Sequence, residues 1–246
     1  MISRAKAKFI KSLQLKKFRK KEGAFIVEGA KSTLELLNAD FRILMLLGTR
    51  DFIEKNQNLF VSGKFEVIEV TEKELVSMGS FQSNNECLVV AENKTNTLHP
   101  IMEEFILVLD DIRDPGNLGT IIRIADWYGI LQIIASESSA ELYNPKVLQA
   151  SMGSFVRVNV YYTDLITFFE DNKSLKVYGT FTEGNNIHQV DFSKKGAILI
   201  GNESKGINRI LEPFIHEKIT IPRYGEAESL NAAIATAIIC DRVRNI

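Results

Sequence analysis

The sequence predicts an α/β protein with two domains. Short runs rich in Val, Ile and Leu alternate with segments of helical periodicity, and this alternation is typical of mostly parallel sheets covered by helices on both faces. The polar stretch at 92–100, which ends in a proline, interrupts the alternation and has the composition of a linker. Because 246 residues suffice for two ordinary domains, we predict a first domain at 1–93, a linker at 94–103 and a second domain at 104–246.

Each element follows from a local pattern, since short apolar runs predict strands and amphipathic stretches predict helices. In the first domain we predict strands at 24–28, 42–48, 65–70 and 86–92 and helices at 31–39, 51–60 and 71–79. In the second domain we predict strands at 105–110, 131–136, 155–162, 176–181, 196–202 and 218–223, with helical segments between most of them. A long helix rich in small residues, 229–246, closes the chain.

Composition narrows the class of protein. A hydrophobic fraction of 45% and a charged fraction of 25% are those of a soluble globular protein. No apolar run approaches the roughly 18 to 20 residues of a membrane-spanning helix, and the N-terminus lacks the apolar region of a secretory signal. We expect Cys87 and Cys240 to be buried free thiols, and His99, His188 and His216 are too scattered to predict a metal site.

The first 21 residues are strongly basic. They contain no acidic residue and nine basic ones, which are Arg4, Lys6, Lys8, Lys11, Lys16, Lys17, Arg19, Lys20 and Lys21. The whole chain has a net charge of −1, so the remainder, with 21 basic and 31 acidic residues, carries −10. A basic block on an acidic body predicts a polyanion partner. By charge alone, a solvated helix face is an equally good interpretation.

The segment 114–129, "DPGNLGTIIRIADWYG", follows a predicted strand and opens a predicted helix. We expect Asn117 to cap this helix. Its apolar stripe is Leu118, Ile121, Ile122, Ala125 and Gly129. Arg123 lies off that stripe, one turn after Gly119, and can lean back over the bare glycine toward Asn117. An Asn and an Arg would then meet at the carboxyl end of a strand, where α/β proteins bind ligands. The alternative is a surface ion pair between Arg123 and Asp126.

Two other strand ends carry polar residues. The apolar run of the strand at 196–202 ends in Gly201, which Asn202, Glu203 and Gly206 follow. This spacing imitates a phosphate-binding P-loop but lacks the Lys and Ser/Thr that the motif requires. The last predicted strand leads through a loop to Ser229 and Asn231, and an ordinary N-cap is the alternative role for Ser229.

Taken together, these strand ends resemble the three motifs of the SpoU (TrmH-type) RNA 2′-O-ribose methyltransferases of the SPOUT class. The motifs are "DPGNLGTIIRIADWYG", "ILIGNESKGI" and "IPRYGEAESLNAAIATAI", and the segment "NPKVLQASMGSFVRVNV" is similar to one that such enzymes carry between the first two. The basic start with "EGAFIVEGAKSTLELL" resembles the ribosomal-protein-like RNA-binding domain that many members carry in front.

The resemblance implies a parallel sheet with a C-terminal trefoil knot, an exception to the rarity of knots. It implies methyl transfer from S-adenosylmethionine to an RNA ribose 2′-hydroxyl in a cytoplasmic homodimer, with no metal and no membrane. Ribosomal RNA is the expected substrate, and transfer RNA is the alternative. An RNA-binding, ribosome-associated protein without catalysis is a second alternative; a small-molecule α/β enzyme would leave the basic segment unexplained.

The family's functional residues carry over by position. The reaction centre would hold Asn117, Arg123, Glu203, Ser229 and Asn231. The cofactor would contact main chain around Thr180, Gly201, Ile221 and Leu230. A guanidinium is a poor proton acceptor, so we expect Arg123 to grip an RNA phosphate and orient the hydroxyl, although proposals for the family make it the base. We expect Glu203 to hold Asn117 and Arg123 in place.

Overall fold

The computed structural model describes residues 2–60, 65–100 and 104–245. Its helices are α1 (Arg4–Ser12), α2 (Lys16–Glu22), α3 (Ala30–Leu37), α4 (Arg50–Lys55), α5 (Glu72–Met78), α6 (Pro115–Trp127), α7 (Pro145–Ser151), α8 (Leu165–Asp171) and α9 (Ala232–Arg244). Its strands are β1 (Ala24–Glu28), β2 (Ile43–Gly48), β3 (Glu66–Glu69), β4 (Cys87–Glu92), β5 (Phe105–Leu109), β6 (Gln132–Ser136), β7 (Asn159–Thr163), β8 (Val177–Asn186), β9 (Gly196–Ile200) and β10 (Glu217–Thr220). Short 3-10 helices cover Gln57–Leu59, Ser154–Val156 and Arg209–Phe214.

The chain folds into two compact units. One contains Met1–Thr95 together with Tyr143–Val156, and the other contains Asn96–Leu142 and Arg157–Ile246. The segment 143–156 is thus separated by sequence from the unit with which it packs. The domain boundaries that we predict from the sequence stay a prediction.

The sheet of the first unit has the order β1-β4-β2-β3 and is mixed. Strand β4 runs antiparallel to both β1 and β2, and only β2 and β3 are parallel. The expectation of a mostly parallel sheet is therefore wrong for this unit. Helix–strand alternation does not specify the direction of a strand. In this unit β4 enters between β1 and β2, which precede it in the sequence, and runs opposite to both.

The sheet of the second unit has the order β10-β8-β9-β5-β6-β7, and all of its neighbouring strands are parallel. Its central strands are apolar along their whole length, as parallel strands covered on both faces should be. Strand β5 is fully buried, and so is β9. Because all six strands point the same way, their carboxyl ends lie along one edge of the sheet.

An aromatic cluster attaches the segment 143–156 to the first unit. The ring of Phe25 on β1 stacks on Tyr143 with centroids 4.3 Å apart, and Phe155 meets Phe25 edge-on at 6.2 Å. The hydroxyl of Tyr143 accepts a hydrogen bond from the backbone N–H of Lys94 at 2.9 Å. The strand predicted at 155–162 consequently begins late, at Asn159, because Phe155 lies in a 3-10 turn that packs into this cluster.

Helices α6 and α9 lie side by side and run in the same direction. Asn231, at the start of α9, bonds to Asn117 in the first turn of α6, and the Tyr128 hydroxyl just after α6 lies 3.3 Å from Asp241 near the end of α9. Ala232 and Ala233 are buried, so small residues of the last helix serve packing within one chain. This pairing brings the C-terminal helix back beside the first helix of the second unit.

Candidate active site

The candidate site lies where β5, β9 and β10 end. Each strand end is followed by a segment that carries sequence-predicted residues: Asn117 in the first turn of α6 after β5, Glu203 in the loop after β9, and Ser229 and Asn231 in the loop after β10. The carboxyl edge of a parallel sheet, where strand order reverses, is the usual ligand site of this architecture. Strand β5 is such a point, since β9 and β6 flank it on opposite sides.

Asn117 joins the other two loops. Its Nδ2 donates a short hydrogen bond to the Oε1 of Glu203, and its Oδ1 accepts one from the Nδ2 of Asn231 at 2.9 Å. The two partners are 86 and 114 positions away in sequence. The structure therefore brings together three of the five predicted reaction-centre residues in one hydrogen-bonded chain.

The capping assignments at α6 and α9 differ from the sequence predictions. Asp114, not Asn117, caps α6, because its carboxylate accepts the backbone N–H of Asn117 at 2.9 Å. Asn231 caps α9 and accepts from the N–H groups of Ala233 and Ile234 at 2.9 and 3.3 Å. Since the helix starts one turn earlier in the first case, the Asn117 side chain is released to face the neighbouring loops.

Ser229 is not a helix cap. It is exposed in the irregular loop before Asn231, and in the described residues its side chain forms no hydrogen bond. The ordinary structural role that the sequence allowed for it is thus excluded. Ser229 is two positions from Asn231 in sequence, but its side chain does not hydrogen-bond to Glu203, Asn117 or Asn231.

Arg123 is exposed on α6, six residues after Asn117. Within the described part of the chain it forms no hydrogen bond and no ion pair, and Glu203 bonds to Asn117 rather than to it. The alternative pairing with Asp126 is not found, because Arg157 occupies that carboxylate at 2.8–3.0 Å. Gly119, one turn before Arg123, is buried. Gly129 likewise lies beyond the helix, with φ of 66°, and is not part of its buried stripe.

One residue of the site, Asp110, was not singled out from the sequence, and Asn202 was noted there only by its position after Gly201. Asp110, directly after β5, is only 7% exposed, and its Oδ2 accepts the backbone N–H of Asn208 at 2.7 Å. Burial raises the pKa of the Asp110 carboxyl, an effect that this hydrogen bond opposes. Asn202 donates from Nδ2 to the carbonyl of Asp111 at 2.8 Å. A signal was present in the sequence, since two consecutive acids at the end of a buried strand are unusual unless they have partners.

Asp111 has a left-handed backbone, with φ of 58°, which non-glycine residues adopt infrequently. Its N–H donates to the hydroxyl of Ser136 at 2.8 Å, and its carboxylate pairs with Arg113 at 2.7 Å. Burial acts to raise the pKa of Asp111, but hydrogen bonds from Arg113 and Ser138 outweigh it and leave the pKa below its usual range. These contacts fix the turn that leads into α6.

The residues predicted to line the cofactor site lie at the same edge. The Thr180 hydroxyl donates to the carbonyl of Leu199 at 3.0 Å and so ties β8 to β9. A Cβ at Gly201 would lie 2.3 Å from the backbone of both Gly206 and Ile207, so the loop after β9 folds back in a way that only glycine permits. The segment that begins at Ile221 and reaches Leu230 has no regular structure, and Leu230 is 46% exposed.

The basic segment forms α1 and α2 in the first unit. Arg19 is not available to a partner, because it is 2% exposed and donates to the carbonyls of Leu13 and Gln14 at 2.9 and 2.8 Å. Lys6 pairs with Glu66 at 2.5 Å. Seven other basic side chains of the segment are exposed, namely Arg4, Lys8, Lys11, Lys16, Lys17, Lys20 and Lys21. The segment is therefore part of the folded core on one side and a positively charged surface on the other.

No group of three or more His, Cys, Asp or Glu residues is arranged to hold a metal ion in residues 2–60, 65–100 and 104–245. Across the same residues, none of the helices has the length and apolar character needed to cross a membrane. Both Cys87 and Cys240 are buried free thiols, as expected.

The fold and site define a class: a parallel α/β domain with a polar ligand site at its carboxyl edge, preceded by a small mixed-sheet domain. Comparison with family models matches residues 104–241 to the SpoU rRNA Methylase family and residues 4–88 to the MRM3-like substrate binding domain. The chain belongs to the SpoU rRNA methylase family. The resemblance that the three motifs indicated is thus confirmed.

Similar proteins span nearly the whole chain. The 23S rRNA (guanosine(2553)-2′-O)-methyltransferase RlmP of Bacillus subtilis (strain 168) is 30% identical over 97% of this chain and 96% of its own length. The 23S rRNA (uridine(2479)-2′-O)-methyltransferase of Streptomyces viridochromogenes is 28% identical over 92% of this chain and 84% of its own. A solved AdoMet-bound rRNA methyltransferase from Sinorhizobium meliloti matches with a TM-score of 0.90 at 28% identity, covering 100% of this chain and 96% of that one.

These similarities confirm the predicted fold class, a SpoU-type parallel sheet preceded by a small α/β domain. The trefoil knot is consistent with that class. The return of α9 beside α6 is compatible with such a path.

Proposed function

We propose that this protein is an S-adenosylmethionine-dependent RNA methyltransferase that methylates a ribose 2′-hydroxyl in ribosomal RNA. The observation that carries the proposal is the hydrogen-bonded chain from Glu203 through Asn117 to Asn231, which joins three strand ends into one site. Membership of the SpoU family supports the reaction, and relatives named as 23S rRNA 2′-O-methyltransferases support ribosomal RNA over transfer RNA.

The chemistry of the described residues fits the cofactor. S-adenosylmethionine supplies a methyl group activated by a sulfonium, and its adenine and amino-acid parts can be recognised by main-chain N–H and carbonyl groups beside apolar surface. Residues 222–230 make no backbone–backbone hydrogen bond within the described chain. The Ala227 carbonyl accepts from the Arg223 side chain at 3.4 Å, and the other main-chain groups of this segment are available. Main chain around Thr180, Gly201, Ile221 and Leu230 would hold the cofactor.

We assign Asn117, Arg123, Glu203, Ser229 and Asn231 to the reaction centre, with distinct roles. Asn117 is fixed at both ends of its amide by Glu203 and Asn231 and keeps one N–H and one lone pair for the substrate. Arg123 is the exposed cation that would bind an RNA phosphate and orient the ribose, because its planar fork matches phosphate oxygens. Positioning alone can supply several kcal/mol of barrier reduction, so the site does not depend on a strong base.

The first unit would bind the RNA. Its exposed basic side chains on α1 and α2 lie on the part of the chain that matches a substrate binding domain. Phosphate neutralisation by such side chains gives affinity without requiring a sequence preference. The boundaries 1–93, 94–103 and 104–246 remain our assignment of the substrate-binding domain, the linker and the catalytic domain.

We further propose a cytoplasmic homodimer. Trp127 at the end of α6 is 83% exposed and Ile234 near the start of α9 is 53% exposed. Apolar side chains at both ends of this packed helix pair favour a covered surface, and a second copy of the chain would cover it symmetrically. Arg123, which is also exposed on α6, would then lie near the partner.

Two experiments test the function. Total RNA from a deletion strain and its parent should differ at a specific 2′-O-methyl position in ribosomal RNA, whereas a missing transfer-RNA methyl group would favour the first alternative. Calorimetry should show S-adenosylmethionine binding without added metal. If the cofactor gives neither heat nor a rise in melting temperature, a ribosome-associated protein without catalysis becomes the better interpretation.

A further inference from the structure

The loop that carries Glu203 is held in place by residues outside the reaction centre. We propose that Asp110 and Asn202 are positioning residues for methyl transfer, which fix the loop 201–208 so that the Glu203 carboxylate meets the Asn117 amide. This inference rests on the proposed function, because it assumes that the Glu203–Asn117 contact serves the reaction.

Asp110 holds both ends of the loop. Its backbone N–H donates to the carbonyl of Ile200, the last residue of β9, at 2.9 Å. Its side-chain Oδ2 accepts the backbone N–H of Asn208, where the loop ends, at 2.7 Å. Asp110 is 7% exposed, and removal of its carboxyl would leave the Asn208 N–H without that partner.

Asn202 fixes the inside of the same loop. Its Nδ2 donates to the Asp111 carbonyl at 2.8 Å, and its Oδ1 accepts the N–H groups of Ser204 and Lys205 at 2.9 and 3.1 Å. Its backbone pairs with Gly206 in both directions, at 3.1 and 2.9 Å. Glu203 therefore lies between Asn202, whose side chain and backbone are both hydrogen-bonded, and Ser204 and Lys205, whose N–H groups bind the Asn202 side chain.

The geometry distinguishes positioning from general stability. Neither Asp110 nor Asn202 bonds to Asn117, Asn231 or Arg123 in the described residues, so each can influence the reaction centre only through backbone that it holds. Both residues hold the loop 201–208, and Asn202 also bonds to Asp111 in the turn before α6, so a route through Glu203 has to be distinguished from one through that turn. The loop 201–208 is tightly folded, because the backbone of Gly206 and Ile207 lies against Gly201 and leaves no room for a side chain there. A displacement of about 1 Å at a catalytic group can cost about 100-fold in rate.

The test uses the full-length protein, S-adenosylmethionine and the methyl-accepting RNA from the deletion strain. Asn202→Asp keeps the acceptor for Ser204 and Lys205 but loses the donor to Asp111. Ser204→Asp is the matched control, because it adds the same charge to the same loop, and the Ser204 side chain forms no hydrogen bond within the described part of the chain. We expect single-turnover methylation by Asn202→Asp to fall about 10-fold to 100-fold further than that of Ser204→Asp, and thermal melts should show both variants folded at the assay temperature.

A double variant supplies the decisive comparison. If Asn202 acts only through Glu203, the combination of Asn202→Asp with Glu203→Gln should be no slower than Glu203→Gln alone. Asp110→Asn, which keeps an oxygen for the Asn208 N–H, should retain far more activity than Asp110→Ala. Additive losses in the double variant, or equal activity of Asp110→Ala and the wild type, would overturn the proposal.

Failure of the proposed function has a different signature. If the wild type transfers no methyl group, or if Glu203→Gln is fully active, the function or the role of Glu203 is wrong, whatever Asn202 does. If the wild type is active, Glu203→Gln is impaired and Asn202→Asp equals its control, the positioning inference alone is wrong.

Discussion

Asn231 donates from its Nδ2 to the Oδ1 of Asn117 across 114 positions of sequence, at 2.9 Å. The same side chain also caps α9 through its Oδ1. One residue thus connects the start of the last helix to the centre of the candidate site. The two hydrogen-bonding ends of this amide can be separated by mutation.

Asn231→Asp should impair catalysis without weakening the fold. The carboxylate still accepts the N–H groups of α9 and suits the helix N-terminus, but it cannot donate to Asn117. We expect a change of unfolding free energy within about 0.5 kcal/mol and a large loss of single-turnover methylation. Asn231→Ala, which removes the cap as well, should cost about 1 kcal/mol of stability. Full activity of Asn231→Asp would show that the bond to Asn117 is dispensable.

Arg123→Ala should abolish most methyl transfer while it leaves the fold and cofactor affinity intact. The side chain is exposed and has no partner in the described chain, so the cost in stability should stay within about 0.5 kcal/mol. Arg123→Lys should not restore activity, because an ammonium lacks the planar fork of a guanidinium. Thermal melts and single-turnover methylation together check this. Near-normal transfer by Arg123→Ala would remove the residue from the mechanism.

The exposed lysines of α1 and α2 should govern the salt dependence of RNA binding. Replacement of Lys8, Lys11, Lys16, Lys17 and Lys20 by Gln should lower the slope of log affinity against log salt by about 0.7 for each lost phosphate contact to single-stranded RNA. Cofactor affinity should not change. An unaltered slope would mean that these charges form only a solvated surface.

Arg19→Gln is the contrasting variant for that experiment. Because Arg19 is buried and bonded to Leu13 and Gln14, its replacement should lower the melting temperature rather than the salt slope. For the same reason the whole segment cannot be deleted as a test, since Ile10 and Leu13 belong to the core of the first unit.

Sedimentation should give a dimer near twice the 27.7 kDa of one chain. Trp127→Glu and Ile234→Glu would each place a charge on the proposed interface and should shift the equilibrium to monomer. Ile210→Glu is a control of the same kind, because Ile210 is 57% exposed but lies outside α6 and α9. A wild-type monomer at micromolar concentration would contradict the proposed homodimer.

The sequence predicted most of the elements and the gathering of three strand ends, because apolar runs and parallel order determine where strands finish. It did not predict which side chain at those ends caps a helix and which one faces the site. Asn117 was expected as a cap, but Asp114, three residues earlier, takes that position and releases Asn117. Asp110 was not predicted, because its role depends on a hydrogen bond to Asn208, which is 98 positions away in sequence.

Other errors share that cause. A mixed sheet results where β4 enters between β1 and β2, and local periodicity carries no information about such insertion. Arg19 is one of nine basic residues in the first 21 positions, yet it is the one among them that tertiary contacts bury. Pattern identifies the kind of element, while long-range pairing decides which of its side chains are free.

The aromatic cluster has a consequence for engineering chimeras. Tyr143 and Phe155 are encoded in the middle of the chain but complete the packing around Phe25 of β1. A graft that exchanged only the first 95 residues for those of another family member would leave these rings against a surface that was not shaped for them. A transplant that is meant to change RNA preference should therefore move two stretches of gene together.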